Sequence, residues 1–356
     1  MQIKTSKNIV IMKHTKTFML LAFVAFLLFA CSKEEPTPEP QQAAVPQIIL
    51  DTDIASSTDD LFAMQLLYRY AAQGRCKLLG VVVDRMGDTN AAVADLMNNY
   101  YGFPTLPIAL ERNGTYERFG YINYTPLAQA TDSNGNLLFA RTYSDYSSLP
   151  DGYVLYRQLL ANAPDGSVTI MLTGIASTIA NLLTSSADQY SPLSGVELVR
   201  RKVKRLYFMA TKLEPGSEQE VSPGYNMMMH PEAASTLLEM WPDDVDVIIS
   251  PSAPGNMVEY APEQVISDID WTDLHPIKQI YMRFDCNTGQ RMWDPMLPLQ
   301  EIEGESLIAL SPRGHLTFSA NKVSFTADPD GNFRYQIAGD EAWAQRMLNL
   351  IRASNR

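Results

Sequence analysis

Cysteine and histidine are scarce in this 356-residue chain, three of one and four of the other, and that scarcity removes whole classes of chemistry. Cys76 and Cys286 stand far apart, without the spacing of a thiolate metal site, and read as two buried thiols. The histidines form no HxxxH-type pair, so a zinc site is not expected. Positive charge is also in short supply: 28 Lys and Arg against 40 Asp and Glu leave the chain at −12. The first 30 residues hold four Lys and no acid, so the remainder carries −12 − 4 = −16. A body that acidic lacks the clustered cations that bind phosphate backbones, which argues against nucleic-acid polymers as partners and leaves small nucleosides open. Internal repeats are absent, and no long linker interrupts the chain after Ala44.

Long apolar runs are missing too, except for one, Phe18 to Ala30, preceded by Lys4, Lys7, Lys13 and Lys16 and ending at Cys31. Basic flank, short apolar core and processing site make the layout of a secretory signal, too short to span a membrane comfortably. Leu28-Phe29-Ala30-Cys31 resembles a bacterial lipobox, which implies lipidation at Cys31 and a lipid anchor in the cell envelope. Lys33-Glu34-Glu35 resembles the surface-export signal of Bacteroidota lipoproteins, implying an outer-membrane, surface-exposed address. Pro36, Pro38, Pro40 and Pro46 disfavour helix and sheet alike, so residues 31–46 read as an extended tether. The expected organisation is signal peptide 1–30, tether 31–46 and one domain 47–356.

Within that domain, short apolar runs alternate with amphipathic stretches. Gln47–Leu50, Cys76–Val83, Val168–Leu172, Val203–Met209 and Val245–Ile249 read as strands. Asp59–Ala72, Ala91–Tyr101, a segment through Leu183, and Pro231–Met240 read as helices. Such alternation predicts an α/β fold with a mostly parallel central sheet flanked by helices. Near the end, Leu316–Phe318, Val323–Phe325 and Phe333–Ile337 read as a small antiparallel C-terminal meander, with turns at Asn321 and at Asp328-Pro329-Asp330-Gly331, before a closing helix over Glu341–Ile351.

The chemically informative segment is Ile48-Ile49-Leu50-Asp51-Thr52-Asp53-Ile54-Ala55-Ser56-Ser57-Thr58-Asp59-Asp60. Four carboxylates fall where a buried strand ends and a helix begins, the place where open α/β sheets bind ligands. Asp59 and Asp60 also suit a helix N-terminus for local reasons. Asp51 and Asp53 lie two apart, so an extended backbone would point them the same way. Like charges held together need a cation or shifted pKa values. Clustered carboxylate oxygens without thiolate or imidazole favour calcium or magnesium.

This segment resembles the Asp-x-Asp…Asp-Asp signature of the nucleoside hydrolase (inosine–uridine-preferring) family, and later blocks resemble it in the same order. They are Val168–Gly174, ending in Thr173-Gly174; Tyr225–Ala234; and Trp293-Asp294-Pro295. The resemblance implies Ca2+ held by Asp53, Asp60, the Thr173 carbonyl and Asp294. It implies Asp59 and Asn226 on ribose hydroxyls, with Asp51 buttressing the loop. The implied activity is calcium-dependent hydrolysis of an N-glycosidic bond in a ribonucleoside or related riboside, Asp53 activating a metal-bound water. Oligomers are usual in the family, although nothing in the sequence identifies an interface. Departures cluster on the substrate side. Ala55 replaces a Gly, Gly224 a Glu that meets the ribose 5′-hydroxyl, Ser217 an Asn, and His230 an Asp. Asp88 or Asn90 stands near the place of an early sugar-binding Asn. Trp293 takes the place of a leaving-group His found in some members. His230 reads either as a new leaving-group acid or as a structural residue at a helix start. Tyr116 to Tyr146, rich in aromatics, reads as a lid or as a loop covering the sheet edge. Because the nucleoside-binding positions are partly rewritten, a second reading is a non-catalytic calcium-containing nucleoside- or sugar-binding surface lipoprotein, and a third a structural protein on the same fold.

Overall fold

A computed structural model describes residues 45–55, 57–115, 123–284 and 290–356. Cys31, the signal, most of the tether, Cys286 and the aromatics Tyr116, Phe119 and Tyr121 lie outside the described residues. From Val45 to Arg356 the chain forms one compact unit. Among the described residues no helix is long and apolar enough to cross a membrane.

The first six strands are β1 (Gln47–Thr52), β2 (Lys77–Arg85), β3 (Ile108–Thr115), β4 (Val168–Leu172), β5 (Val203–Met209) and β6 (Asp246–Ser250). All pair in parallel, in the order β6-β5-β4-β1-β2-β3. Their apolar runs are buried on both faces, as a helix-covered parallel sheet requires. Alternation within β1 sorts the two cores: Ile48 and Leu50 join one cluster, Ile49 the other. The order reverses at β1, which has β2 on one side and β4 on the other, so the crevice between β1 and β4 is the topological switch point.

Two short strands, β7 (Glu259–Tyr260) and β8 (Gln290–Arg291), make a separate antiparallel ribbon, and β9 (Ala309–Leu310) edges the main sheet. The C-terminal strands are β10 (Gly314–Ser319), β11 (Lys322–Ala327) and β12 (Phe333–Ile337). β10 and β11 form the expected hairpin, turning through Ala320 and Asn321, both at positive φ, which suits the twist of a tight hairpin. β12 goes further than a meander strand: it pairs antiparallel with β10 and parallel with β6. The meander is therefore fused to the edge of the parallel sheet.

Candidate functional site

β1 ends at Thr52, and its alternation decides where each nearby side chain goes. Asp51 shares the face of Ile49, where the helices Gly152–Asn162 and Ser177–Thr184 pack. There it accepts hydrogen bonds from the Tyr156 hydroxyl at 2.8 Å and from the Thr178 hydroxyl. Thr52 takes the opposite face and donates to Asp60 Oδ1 in the helix Asp59–Ala72. Between them the backbone passes through Ile54 and Ala55 before that helix. Ala55 sits at φ 86°, a left-handed conformation that an alanine adopts at a cost on the order of 1 kcal/mol. Tyr124 holds the bend, its hydroxyl accepting from Ala55 N at 2.7 Å and donating to Ser57 O at 2.8 Å. The described aromatics of the Tyr116–Tyr146 stretch are thus no lid: Tyr124 and Tyr146 are buried and Tyr143 packs against the same core.

Asp59, Asp60 and Asp294 each bring a carboxylate oxygen within 4.8 Å of the other two, and all three are buried. The sequence resemblance gave Asp59 to the sugar; the structure sets it inside the acidic cluster. Its Oδ2 accepts from the backbone N–H groups of Trp293 at 3.2 Å and Asp294 at 3.3 Å, so the Trp293-Asp294-Pro295 block is docked onto the helix start. Ser57 donates to its other oxygen. Asp60 Oδ1 receives Thr52 and, at 3.3 Å, the Thr173 hydroxyl, while Asp60 Oδ2 is buried without a hydrogen-bond partner. Thr173 itself is fixed beside β1 by its N–H on Asp51 O at 2.8 Å, and its carbonyl accepts from Asn226 Nδ2 at 2.6 Å. That carbonyl retains a second lone pair.

Asp84 is a participant the sequence did not single out. It lies at the end of β2, buried, accepting from Ile175 N at 2.9 Å and facing Asp51 carboxyl to carboxyl, a contact that only a shared proton turns into a hydrogen bond. Arg85 follows it and donates to the carbonyls of Asp53 and Ile54 at 3.2 and 3.4 Å, tying the loop after β1 to β2. Gly174 is a close approach: a Cβ there would come within 2.7 Å of Asp53 Cβ and 2.3 Å of Asp84 Oδ2. These partners come from separate segments and carry no local motif.

So many buried acids set close together disturb one another. Burial holds Asp60 well above the usual carboxylate range, and the charges of Asp53 and Asp59 push it further. Asp294 is raised in the same way by burial and then by Asp59, Asp60 and Asp53. Asp84 is raised by burial, then by Asp51 and Asp53, and Asp59 by burial against the pull of its hydrogen bonds. Burial carries Asp51 up to about 7.

Asp53, Asp59 and Asp294 open onto a cavity of about 260 Å³, closed by Ser57, Thr173, Met209–Lys212, Gly224–Asn226, Ser252, Asn256 and Trp293. Asn226 faces this space beside Thr173. The other positions noted in the sequence fall elsewhere. His230 hydrogen-bonds Ser177 at 3.0 Å and does not line the cavity, which leaves it a structural residue between two helices. Ser217 caps Glu214 O in an exposed turn. Asp88 faces Arg112 at 3.6 Å and Asn90 bonds Met86 O, so neither reaches the cavity. Gly224 does reach it, at φ 82°, with space for no side chain: a Cβ would stand 2.9 Å from Thr211 N.

Buried hard oxygens, one of them unpartnered, at the switch point of a parallel sheet define an α/β protein with a cation-competent acidic pocket. Comparison with solved structures narrows the fold. An inosine–uridine-preferring nucleoside hydrolase from Bacillus anthracis superposes with a TM-score of 0.61 at 13% identity, over 87% of this chain and 99% of that one. A plant nucleoside hydrolase matches at 0.61 and 13%, over 87% and 98%. The type III effector protein XopQ, solved with adenosine diphosphate ribose, matches at 0.61 and 15%, over 89% and 94%. No protein-family model and no curated protein matches the chain. The chain has the nucleoside hydrolase fold.

Proposed function

We propose that this protein hydrolyses the N-glycosidic bond of a ribonucleoside or related riboside with the help of a divalent cation, calcium by preference. The observation that carries the reading is the buried cluster of Asp59, Asp60 and Asp294 at the rim of a pocket, on the fold of enzymes named for this reaction. The donor set fits a hard cation: Asp60 Oδ2 is unpartnered, the Thr173 carbonyl has a lone pair to give, and four raised carboxyls gain from a positive neighbour. Asp53, Asp60, Thr173 and Asp294 would hold the cation, with Asp59 beside them. When bound, calcium supplies charge that favours ionisation of a water near the anomeric carbon.

The chain's own residues do the rest. Asp53, lining the pocket, takes the proton of the attacking water. Asp59 and Asn226 hold the sugar's hydroxyls, which sets the anomeric carbon against that water. Surrounding carboxylates favour the positive charge that develops on the sugar as the bond to the base breaks. Trp293 and Tyr225 supply flat faces at the pocket wall for a base. Adenosine diphosphate ribose, found with the effector of the same fold, is itself a riboside, so ribosides other than free nucleosides belong among the compounds to be tested.

A reducing-sugar assay on the full chain across a riboside panel tests this, run with calcium, with chelator and as Asp53→Ala. Calcium-dependent release absent from the variant supports the hydrolase. No release from any riboside, with calcium still raising the melting temperature, leaves the calcium-loaded binding protein instead. Anchoring through Cys31 belongs to the same proposal: Cys31→Ser should move the protein from the membrane to the soluble fraction, and unchanged partitioning would contradict it.

A further inference from the structure

We propose that the substrate carries an anionic group, a phosphoryl ester on the exocyclic carbon of its ribose, and that Lys212 selects it. This rests on the riboside reading above and sharpens it. Every other charged residue lining the pocket is a carboxylate, Asp53, Asp59 and Asp294; among the described residues Lys212 is the one cation there. A lysine placed to neutralise those acids would pair with one of them. Lys212 does not: among the described residues it makes no ion pair, and its exposed ammonium no hydrogen bond, although its backbone is firmly set.

That setting is specific. Thr211 is buried at φ 71°, an uncommon conformation for a β-branched residue. Three contacts over-determine it: its N–H donates to Pro223 O at 2.7 Å, its carbonyl accepts from Ser252 N at 3.1 Å, and its hydroxyl accepts from Leu213 N at 3.2 Å. Lys212 N donates to Ser222 O at 3.0 Å, so the lysine runs beside the segment that continues into Gly224 and Asn226. Gly224, whose Cβ position is blocked by the Thr211 backbone, keeps that wall free of any side chain beside the lysine. The strained turn thus presents a cation on the sugar-holding side of the pocket.

Distance sorts the substrate's groups. Asp53 follows β1, Lys212 follows β5, and β4 lies between, so their strands are roughly 10 Å apart across two strand spacings. A group held near the acids is a hydroxyl; an anion would be repelled there. The part of a riboside that reaches away from its ring hydroxyls on the sugar side is the exocyclic carbon, and a phosphoryl group on it meets a lysine as a point-charge partner.

The test measures binding of ribose 5-phosphate and of ribose to the full chain by titration calorimetry, beside kcat/KM for a ribonucleoside 5′-monophosphate and its parent nucleoside. The phosphorylated member of each pair is expected to win by at least about tenfold, as a charge-assisted hydrogen bond gives. Lys212→Met should erase most of that ratio and Lys212→Arg should keep it. Equal binding of the two sugars by the unaltered chain, or a ratio that Lys212→Met leaves intact, overturns the proposal whether or not the variants fold well. Selective ribose 5-phosphate binding without any hydrolysis would retain Lys212's role and remove the hydrolase; nucleoside hydrolysis without phosphate preference would do the reverse.

Discussion

Two regions of this molecule handle buried charge in opposite ways. Arg157 is fully buried, and its guanidinium is answered by Asp188 at 2.8 and 3.0 Å, the Ser185 hydroxyl at 2.9 Å, and the carbonyls of Ser191 and Leu193. Across the sheet's carboxyl end, Asp51, Asp60 and Asp84 each keep a buried oxygen without a hydrogen-bond partner. A satisfied buried charge positions a loop. An unsatisfied cluster raises the free energy of the fold by itself and persists where something else completes it.

The largest expected contrast is catalytic. Asp53→Ala should lower kcat for the preferred riboside by about 10³-fold, the scale of a lost general base, while Arg157→Met leaves kcat per folded molecule unchanged. Arg157→Met should instead destabilise the protein by about 3 kcal/mol, since the Ser191 and Leu193 carbonyls lose their buried donor, as denaturant unfolding would show. If both variants lost only stability, the distinction between the two regions would collapse.

A smaller effect carries the opposite sign. Asp60→Asn removes one of several repelling buried carboxylates, so in chelator it should raise the melting temperature by a few degrees, and in calcium it should lose the metal's added stabilisation. pH probes the cost of burying these carboxyls. The Asp51 carboxyl moves from 3.8 to about 7 on folding, so between those values the unfolded chain sheds a proton that the folded chain keeps. Stability in chelator should therefore fall as pH rises from about 4 to 7, with calcium opposing the loss at the upper end; a flat or rising profile would contradict it. Smallest is Tyr124→Phe, which strips the loop bend of both hydroxyl bonds and should cost about 1 kcal/mol in equilibrium unfolding.

What the sequence disclosed and what it hid follow the same line. Asp53, Asp59 and Asp60 were legible because a strand end and a helix start put them in one short segment. The helix Asp59–Ala72 and the strands Val168–Leu172 and Val203–Met209 appear with the bounds their patterns predict, since each is a strong local period. Strand β3 was not singled out: Glu111 and Arg112 interrupt its apolar run, and Glu111 is buried against Asn181 of a distant helix. The parallel pairing of β12 with β6 joins strands more than 80 residues apart, which no local pattern encodes. Asp84, Tyr124, Tyr156 and Lys212 reach the site by topology alone. His230 shows the converse: of its two readings, leaving-group acid or structural residue, the backbone supports the second by setting it against Ser177.

The central claim is that the buried acids around Asp60 hold a cation, and calcium titration calorimetry on the full chain and on Asp60→Asn measures it most directly. The account predicts one saturable site in the unaltered chain and its loss in the variant. No calcium binding, or binding that Asp60→Asn leaves unchanged, would contradict it.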